Sequence, residues 1–253
     1  MTTLHIIIMS LVEGLTEFLP VSSTGHLILT SHYLGLEKSE FLKAFEVIIQ
    51  FGAIMAVVVL YSKKFLSLDF DFFKKLMLGS FPALILGFLL KNKIDSLLES
   101  TTVVAWSLII GGFIFIWVDH YIKPQQAKTE VTLLDSFKIG LIQCFALIPG
   151  VSRSGATIVG AQFLSYEKKT AAEFSFFLAV PTLTAATLYK TWKIRSLINT
   201  ENLIQLSLGT FLSFIFALIA IKFFIKIVSK YGFKWFGVYR IILGLFVLLT
   251  IYY

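Results

Sequence analysis

The sequence predicts an all-α polytopic membrane protein, an inverted repeat in which each half is a re-entrant helix hairpin followed by three transmembrane helices. Three observations predict it. Of the 253 residues, 57% are hydrophobic and only 15% charged, with a mean hydropathy of +0.85; a soluble domain carries about 25% charged residues. Apolar runs long enough to cross a bilayer recur from end to end, so residues 1–253 read as a single integral membrane domain. Two further apolar segments are interrupted, and one repeats the other.

The first element, roughly residues 5 to 34, is one of these. Pro20 removes a backbone donor and clashes with the preceding turn, and the following VSSTG is a poor helix interior. Each arm is then about 12 to 15 residues, or roughly 18 to 22 Å, short of a hydrocarbon core of about 30 Å. A helix, break and helix that enters and leaves on one side fits, provided the broken backbone is covered by protein or lines a wet cavity. Spans follow at about 44–61, 76–90 and 102–121, separated first by the basic stretches YSKKF and DFFKKL. The second interrupted segment covers about 133–165, and spans at about 172–189, 203–225 and 236–253 complete the chain.

An offset of 130 residues lays LVEGLTEFLPVSSTGHLI (Leu11 to Ile28) over LIQCFALIPGVSRSGATI (Leu141 to Ile158) without a gap. Glu13 then pairs with Gln143, Ser22 with Ser152, Ser23 with Arg153, Thr24 with Ser154 and Gly25 with Gly155. The repeat units are 1–121 and 133–253. Three spans are an odd number of crossings, so the second unit is inverted relative to the first and the hairpins meet near the midplane, where inverted-repeat membrane proteins build a site.

The opening MTTLHIIIMS lacks the basic region of a cleaved signal peptide, so no removal is expected. A single cysteine, Cys144, excludes an intramolecular disulfide and a cysteine metal cluster, and reads as a packing residue. The net charge is +7, yet no block of five like charges occurs and the bases sit in short connectors. They speak for membrane topology rather than nucleic acid. In the six-span arrangement seven connector bases share the face of Met1 and eleven lie opposite, which places both termini outside.

Glu13 and Glu17 are one helical turn apart and face the same side. In a low-dielectric setting at least one must be protonated or the two must share a cation; hydration in a polar vestibule is the alternative. After each break, PVSSTG and PGVSRSG place glycine and hydroxyl residues at a helix start, where free N–H groups favour anions. Arg153 adds a planar cation suited to phosphate oxygens. His26 is a proton donor or a hydrogen-bonded structural residue. Glu46, Gln50 and Glu173 line a path or stitch helices together, and 26 phenylalanines suit a lipid-facing surface and a prenyl groove alike. Lys222 and Arg240 are expected to snorkel or pair near helix ends.

EGLTEFLPVSSTGH (Glu13 to His26) and PGVSRSGATI (Pro149 to Ile158) resemble the two signature regions of the undecaprenyl-pyrophosphate phosphatases, the bacitracin-resistance type of integral membrane enzyme. The resemblance extends through FEVIIQFGAIMAVV, AAEFSFFLAVP and YRIILG, most of the chain; connectors 62–75 and 91–101 match nothing assignable. It implies removal of the terminal phosphate of undecaprenyl pyrophosphate, recycling the lipid carrier for peptidoglycan, with a divalent cation, magnesium or calcium, as cofactor. It implies Glu13 and Glu17 as the metal site, and Ser23, His26, Glu17 and Arg153 as catalytic residues. Ser22, Thr24, Gly25, Ser152, Arg153, Ser154, Gly155 and Thr157 would bind phosphate. The attacking group is either Ser23 or a metal-activated water. Expected partners are this polyprenyl diphosphate, membrane lipids and, at most, a second copy of the chain in a homodimer. The expected location is the bacterial plasma membrane, multi-pass, with the site opening to the outer side. Broken helices at mid-membrane also describe transporters, so a lipid flippase, instead of or beside the enzyme, is the competing class, and a purely structural subunit a third.

Overall fold

The computed structural model describes residues 1–67, 69–98, 100–122 and 127–252. They form twelve α-helices: α1 (Thr3–Thr16), α2 (Ser23–Tyr33), α3 (Glu40–Leu60), α4 (Ser62–Leu66), α5 (Phe70–Leu89), α6 (Lys91–Leu97), α7 (Thr101–Tyr121), α8 (Leu133–Gln143), α9 (Arg153–Phe163), α10 (Lys168–Lys193), α11 (Thr200–Tyr231) and α12 (Lys234–Tyr252). Six of them, α3, α5, α7, α10, α11 and α12, are long and apolar enough to cross a membrane. These are the six expected spans, and the protein is a multi-pass membrane protein.

The helix edges follow from caps that hydropathy does not weigh. α5 begins six residues before its expected start because the Asp69 carboxylate accepts from the amides of Asp71 and Phe72. Ser39, Ser100 and Asn199 cap α3, α7 and α11 in the same way. α11 is longest, at 32 residues. Its last turns carry Lys222, Lys226 and Lys230; Lys222 is exposed, as a snorkelling lysine should be. The two interrupted segments are helix, break and helix, as expected: α1 and α2 flank one break, α8 and α9 the other.

The spans pack as α7 on α12, α3 on α11 and α3 on α10, while α1 lies on α11 and α8 on α5. Small residues bring these helices close, as bilayer packing requires. A side chain at Gly52 would strike the Thr210 carbonyl of α11, and one at Gly112 would meet the Gly237 carbonyl of α12 at 2.6 Å. The largest core cluster runs from Phe18 through Phe72, Phe176 and Phe177 to Phe224 and Phe233. Phe81, Phe113, Phe211 and Phe223 are exposed on the outer surface, so the phenylalanines serve both core and lipid face. Cys144 is half-buried against the Gly140 carbonyl.

Replacing Gly52 by valine should separate α3 from α11. The expected overpacking cost is about 1–3 kcal/mol, read as an earlier thermal aggregation midpoint of the detergent-solubilised protein. A wild-type midpoint would mean that the close approach at Gly52 and Thr210 is not needed.

Candidate active site

Both breaks are built alike. Ser22 (φ 72°) and Ser152 (φ 78°) occupy left-handed backbone positions that non-glycine residues rarely adopt. Each serine caps the arm that follows: Ser22 Oγ accepts from the Gly25 amide (3.2 Å) and Ser152 Oγ from the Gly155 amide (3.0 Å). The carbonyls of Ser22 and Ser152 take the amides of His26 and Ala156. The amides of Ser23, Thr24, Arg153 and Ser154 precede these positions and have no acceptor among the described residues. Two helix N-termini thus present unpaired N–H groups, one beside each break.

The side chains converge on Glu17. Its Oε1 accepts from Arg153 Nη2 at 2.6 Å, and its Oε2 accepts the Ser23 hydroxyl. Ser23 and Arg153 are the first residues of α2 and α9, so one carboxylate ties the two arms together. Arg153 also donates from Nη1 to the Ser175 carbonyl of α10 (2.8 Å) and stands over the Phe18 ring. Its Nε is buried without a partner. The pair is nearly enclosed, with side-chain exposures of 11% for Arg153 and 5% for Glu17. An ion pair so sheltered is strongly destabilised when either partner is removed.

A cavity of about 750 Å³ opens from this point. Glu17, Ser22, Ser23, Thr24, Ser152 and Arg153 line its floor, and Leu27, Ile28, Leu84, Phe88, Leu147 and Ala186 are among its apolar walls. Glu46 and Gln50 also face it, whereas Glu173 accepts from Tyr61 at 3.4 Å and stitches α10 to α3. The remaining expected site residues lie elsewhere. Ser154 donates to the Leu19 carbonyl at 3.0 Å and Thr157 to Ser175 Oγ at 2.8 Å. Gly25 and Gly155 serve as capped amides. His26 is turned toward α12: Nδ1–H donates to the Ser22 carbonyl (2.8 Å), which leaves Nε2 to accept from the Tyr239 hydroxyl (2.7 Å).

Glu13 is fully buried and both carboxylate oxygens lack a partner; Gln143, 2% exposed and on the cavity wall, lacks partners at both amide atoms. Among the described residues no three His, Cys, Asp or Glu gather into one cluster.

Arg240 corrects the sequence reading. It does not snorkel and pairs with no acid among the described residues; it is wholly buried at the junction of the two breaks. Its guanidinium donates to the carbonyls of Pro20 (3.1 Å), Gly150 (3.0 Å), Val151 (3.0 Å), Ser107 (3.0 Å) and Leu108 (3.4 Å). A side chain at Gly111 would fall on this guanidinium, so the glycine makes the space it occupies.

The fold and the site define a multi-pass membrane protein whose polar centre joins two broken helices beneath an apolar cavity. The chain belongs to the family described as bacitracin resistance protein BacA, whose model matches residues 6–246. It is 55% identical to the undecaprenyl-diphosphatase of Bdellovibrio bacteriovorus, over 100% of this chain and 97% of that protein. It is 51% identical to that of Persephonella marina (97% of each chain) and 49% identical to that of Flavobacterium psychrophilum (98% of this chain, 96% of the other).

Proposed function

We propose that the protein hydrolyses undecaprenyl pyrophosphate to undecaprenyl phosphate and inorganic phosphate, recycling the lipid carrier of peptidoglycan synthesis and conferring bacitracin resistance. The observation that carries this is the bonding of Ser23 and Arg153, one from each break, to one carboxylate at the floor of an apolar-walled cavity. A prenyl chain suits the walls and a diphosphate the floor. The name of the relatives, undecaprenyl-diphosphatase, agrees.

The terminal phosphate would sit against the cavity edge of Arg153 and the unpaired amides of α2 and α9, which would neutralise its oxygens. The Ser23 hydroxyl already donates to Glu17, so Glu17 is placed to take its proton as Oγ attacks phosphorus. Attack forms the Oγ–P bond, breaks the anhydride P–O bond and releases undecaprenyl phosphate. Water then cleaves the phosphoserine, releasing inorganic phosphate and returning a proton to Oγ. In the alternative, a water takes the place of Ser23 as attacking group and no phosphoenzyme forms. His26, held by Ser22 and Tyr239, supports the break rather than the proton transfer.

The residues fit a divalent cation, magnesium or calcium. Glu13, buried without partners one turn from Glu17, is a costly charge unless a cation or proton compensates it. Carboxylate oxygens are the donors both ions prefer. Glu13 and Glu17 would hold the ion, and the chemistry it supplies when bound is neutralisation of phosphate charge.

We read the broken segments as re-entrant and the halves as an inverted repeat. The Met1 amino group bonds Gln205 at the start of α11, and Tyr33 at the end of α2 bonds Thr250 at the end of α12. Chain crossings between those anchors are two, so both ends of the first segment share a level. Asp135 at the start of α8 accepts from Tyr166, just past α9, at 2.8 Å, which closes the second segment likewise. Exchange of halves also maps α1 on α11 to α8 on α5. The cavity takes Lys38 from a connector and Lys43, Lys91 and Lys190 from helix ends at the level of Met1, the face with fewer bases. We therefore place its mouth on the outer side of the plasma membrane. An additional flipping role gains no support from a cavity reached by the connectors of one face.

Purified protein should release phosphate from the polyprenyl diphosphate in detergent, where no second compartment exists; binding without release would favour a transporter. Ser23→Ala should abolish turnover and wild-type enzyme should show phosphoserine at position 23 on rapid quenching. Ser22→Ala should lose a cap worth about 0.5–2 kcal/mol yet retain turnover. Wild-type-like turnover by Ser23→Ala would leave water as the attacking group. Glu13→Gln should lose most activity with partial recovery at higher metal concentration, whereas Glu17→Gln, which also loses the base and the partner of Arg153, and Arg153→Lys, whose point charge lacks the fork, should not recover; equal rescue of all three would undo this division of roles. A cysteine placed in connector 62–75 should resist an impermeant thiol reagent in intact cells, and labelling there would reverse the orientation.

A further inference from the structure

We infer that Arg240 is the positioning residue of the active site, fixing the two breaks in the one relative register that lets Ser23 and Arg153 reach Glu17. The inference rests on the phosphatase reading only for its kinetic readout. The guanidinium bonds Pro20 of the first break, Gly150 and Val151 of the second, and Ser107 and Leu108 of α7. Five carbonyls from three separate stretches of chain thus share one planar cation, which only an arginine can hold at fixed angles.

The direction of these bonds matters as much as their number. In a planar trans peptide the carbonyl and the following N–H point opposite ways. With the Val151 carbonyl turned to Arg240, the Ser152 amide points away from it, and Ser152 lines the cavity. The Pro20 carbonyl is turned the same way two residues before the Ser22 cap. Arg240 itself is absent from the cavity lining and touches no acid among the described residues, so its charge acts on backbone orientation and not on substrate. Gly111 is part of the device, because any side chain there would displace the guanidinium.

Three variants of the full chain in detergent test this: Arg240→Lys, Arg240→Ala and Gly111→Ala. Arg240→Lys should lower kcat roughly tenfold to hundredfold with KM changed by less than about threefold, as expected when preorganised donors are misplaced. Gly111→Ala should fall between it and wild type. Guanidinium ion should restore part of the kcat of Arg240→Ala, and methylammonium should not. Hydrogen exchange should rise together in peptides 17–26 and 148–157 of Arg240→Lys while α3 and α11 stay protected. Wild-type kcat and exchange in Arg240→Lys would overturn the proposal. So would loss of activity that merely follows the unfolded fraction, with exchange raised throughout and no rescue by guanidinium. A wild-type protein that releases no phosphate would remove the phosphatase reading, yet paired loosening of the two peptides would still establish the register role of Arg240.

Discussion

Breaking a helix inside an apolar protein frees carbonyls that neither lipid nor distant water can satisfy, and the whole site depends on how they are met. Here the breaks lie side by side, so one cation serves both. Arg240 accepts the desolvation of a buried charge in exchange for five carbonyl dipoles, and no carboxylate is needed to compensate it. The exposed ends of the same problem, the helix N-termini, are handled by Ser22 and Ser152, each of which closes one amide and leaves those before it unpaired. Carbonyls are drawn to one side of the junction and amides are left facing the other. Unpaired amides at two helix starts are the electrostatic basis on which an anion-binding floor is proposed.

That floor would be too positive to release a phosphate without an opposing charge. Glu17 supplies it, holding Arg153 at 2.6 Å and accepting from Ser23. The carboxylate therefore has two contacts that cannot be separated by deletion: it pairs the buried guanidinium, and it accepts the hydroxyl it is proposed to deprotonate. Ser175 and Phe18 restrict Arg153 further, so that the guanidinium is held by contacts on three sides.

The spans and both breaks were legible because length, hydropathy and proline act locally. The meeting of Glu17, Ser23 and Arg153 could be expected from the 130-residue offset alone, since it aligns Ser23 with Arg153. Arg240 was not legible. Its partners are backbone carbonyls 89 to 220 residues away, which carry no side-chain signature; Gly111 was the one available sign, and a glycine in a span has many uses. His26 was legible as polar but not as oriented, because its direction is set by Tyr239, 213 residues on. Ser154 and Thr157 read as phosphate ligands from their motif, while the fold, which the motif does not show, gives their hydroxyls the Leu19 carbonyl and the Ser175 hydroxyl as partners.

On the repeat reading, the two halves share a scaffold and differ in the charges mounted on it. Equivalent first-turn positions carry a hydroxyl in one half, Ser23, and a guanidinium in the other, Arg153; the positions equivalent to Glu13 and Glu17 are Gln143 and Leu147. Carboxylates at Gln143 and Leu147, both on the cavity wall beside Glu17, would add two acids there, repelling a diphosphate and each other. Replacing one by an amide and the other by an apolar wall residue removes that repulsion and adds hydrophobic lining for a lipid tail. On that reading the frame is two helix starts opposed across a junction, and the side chains at three paired positions, Ser23 and Arg153, Glu13 and Gln143, Glu17 and Leu147, make its two sides chemically different.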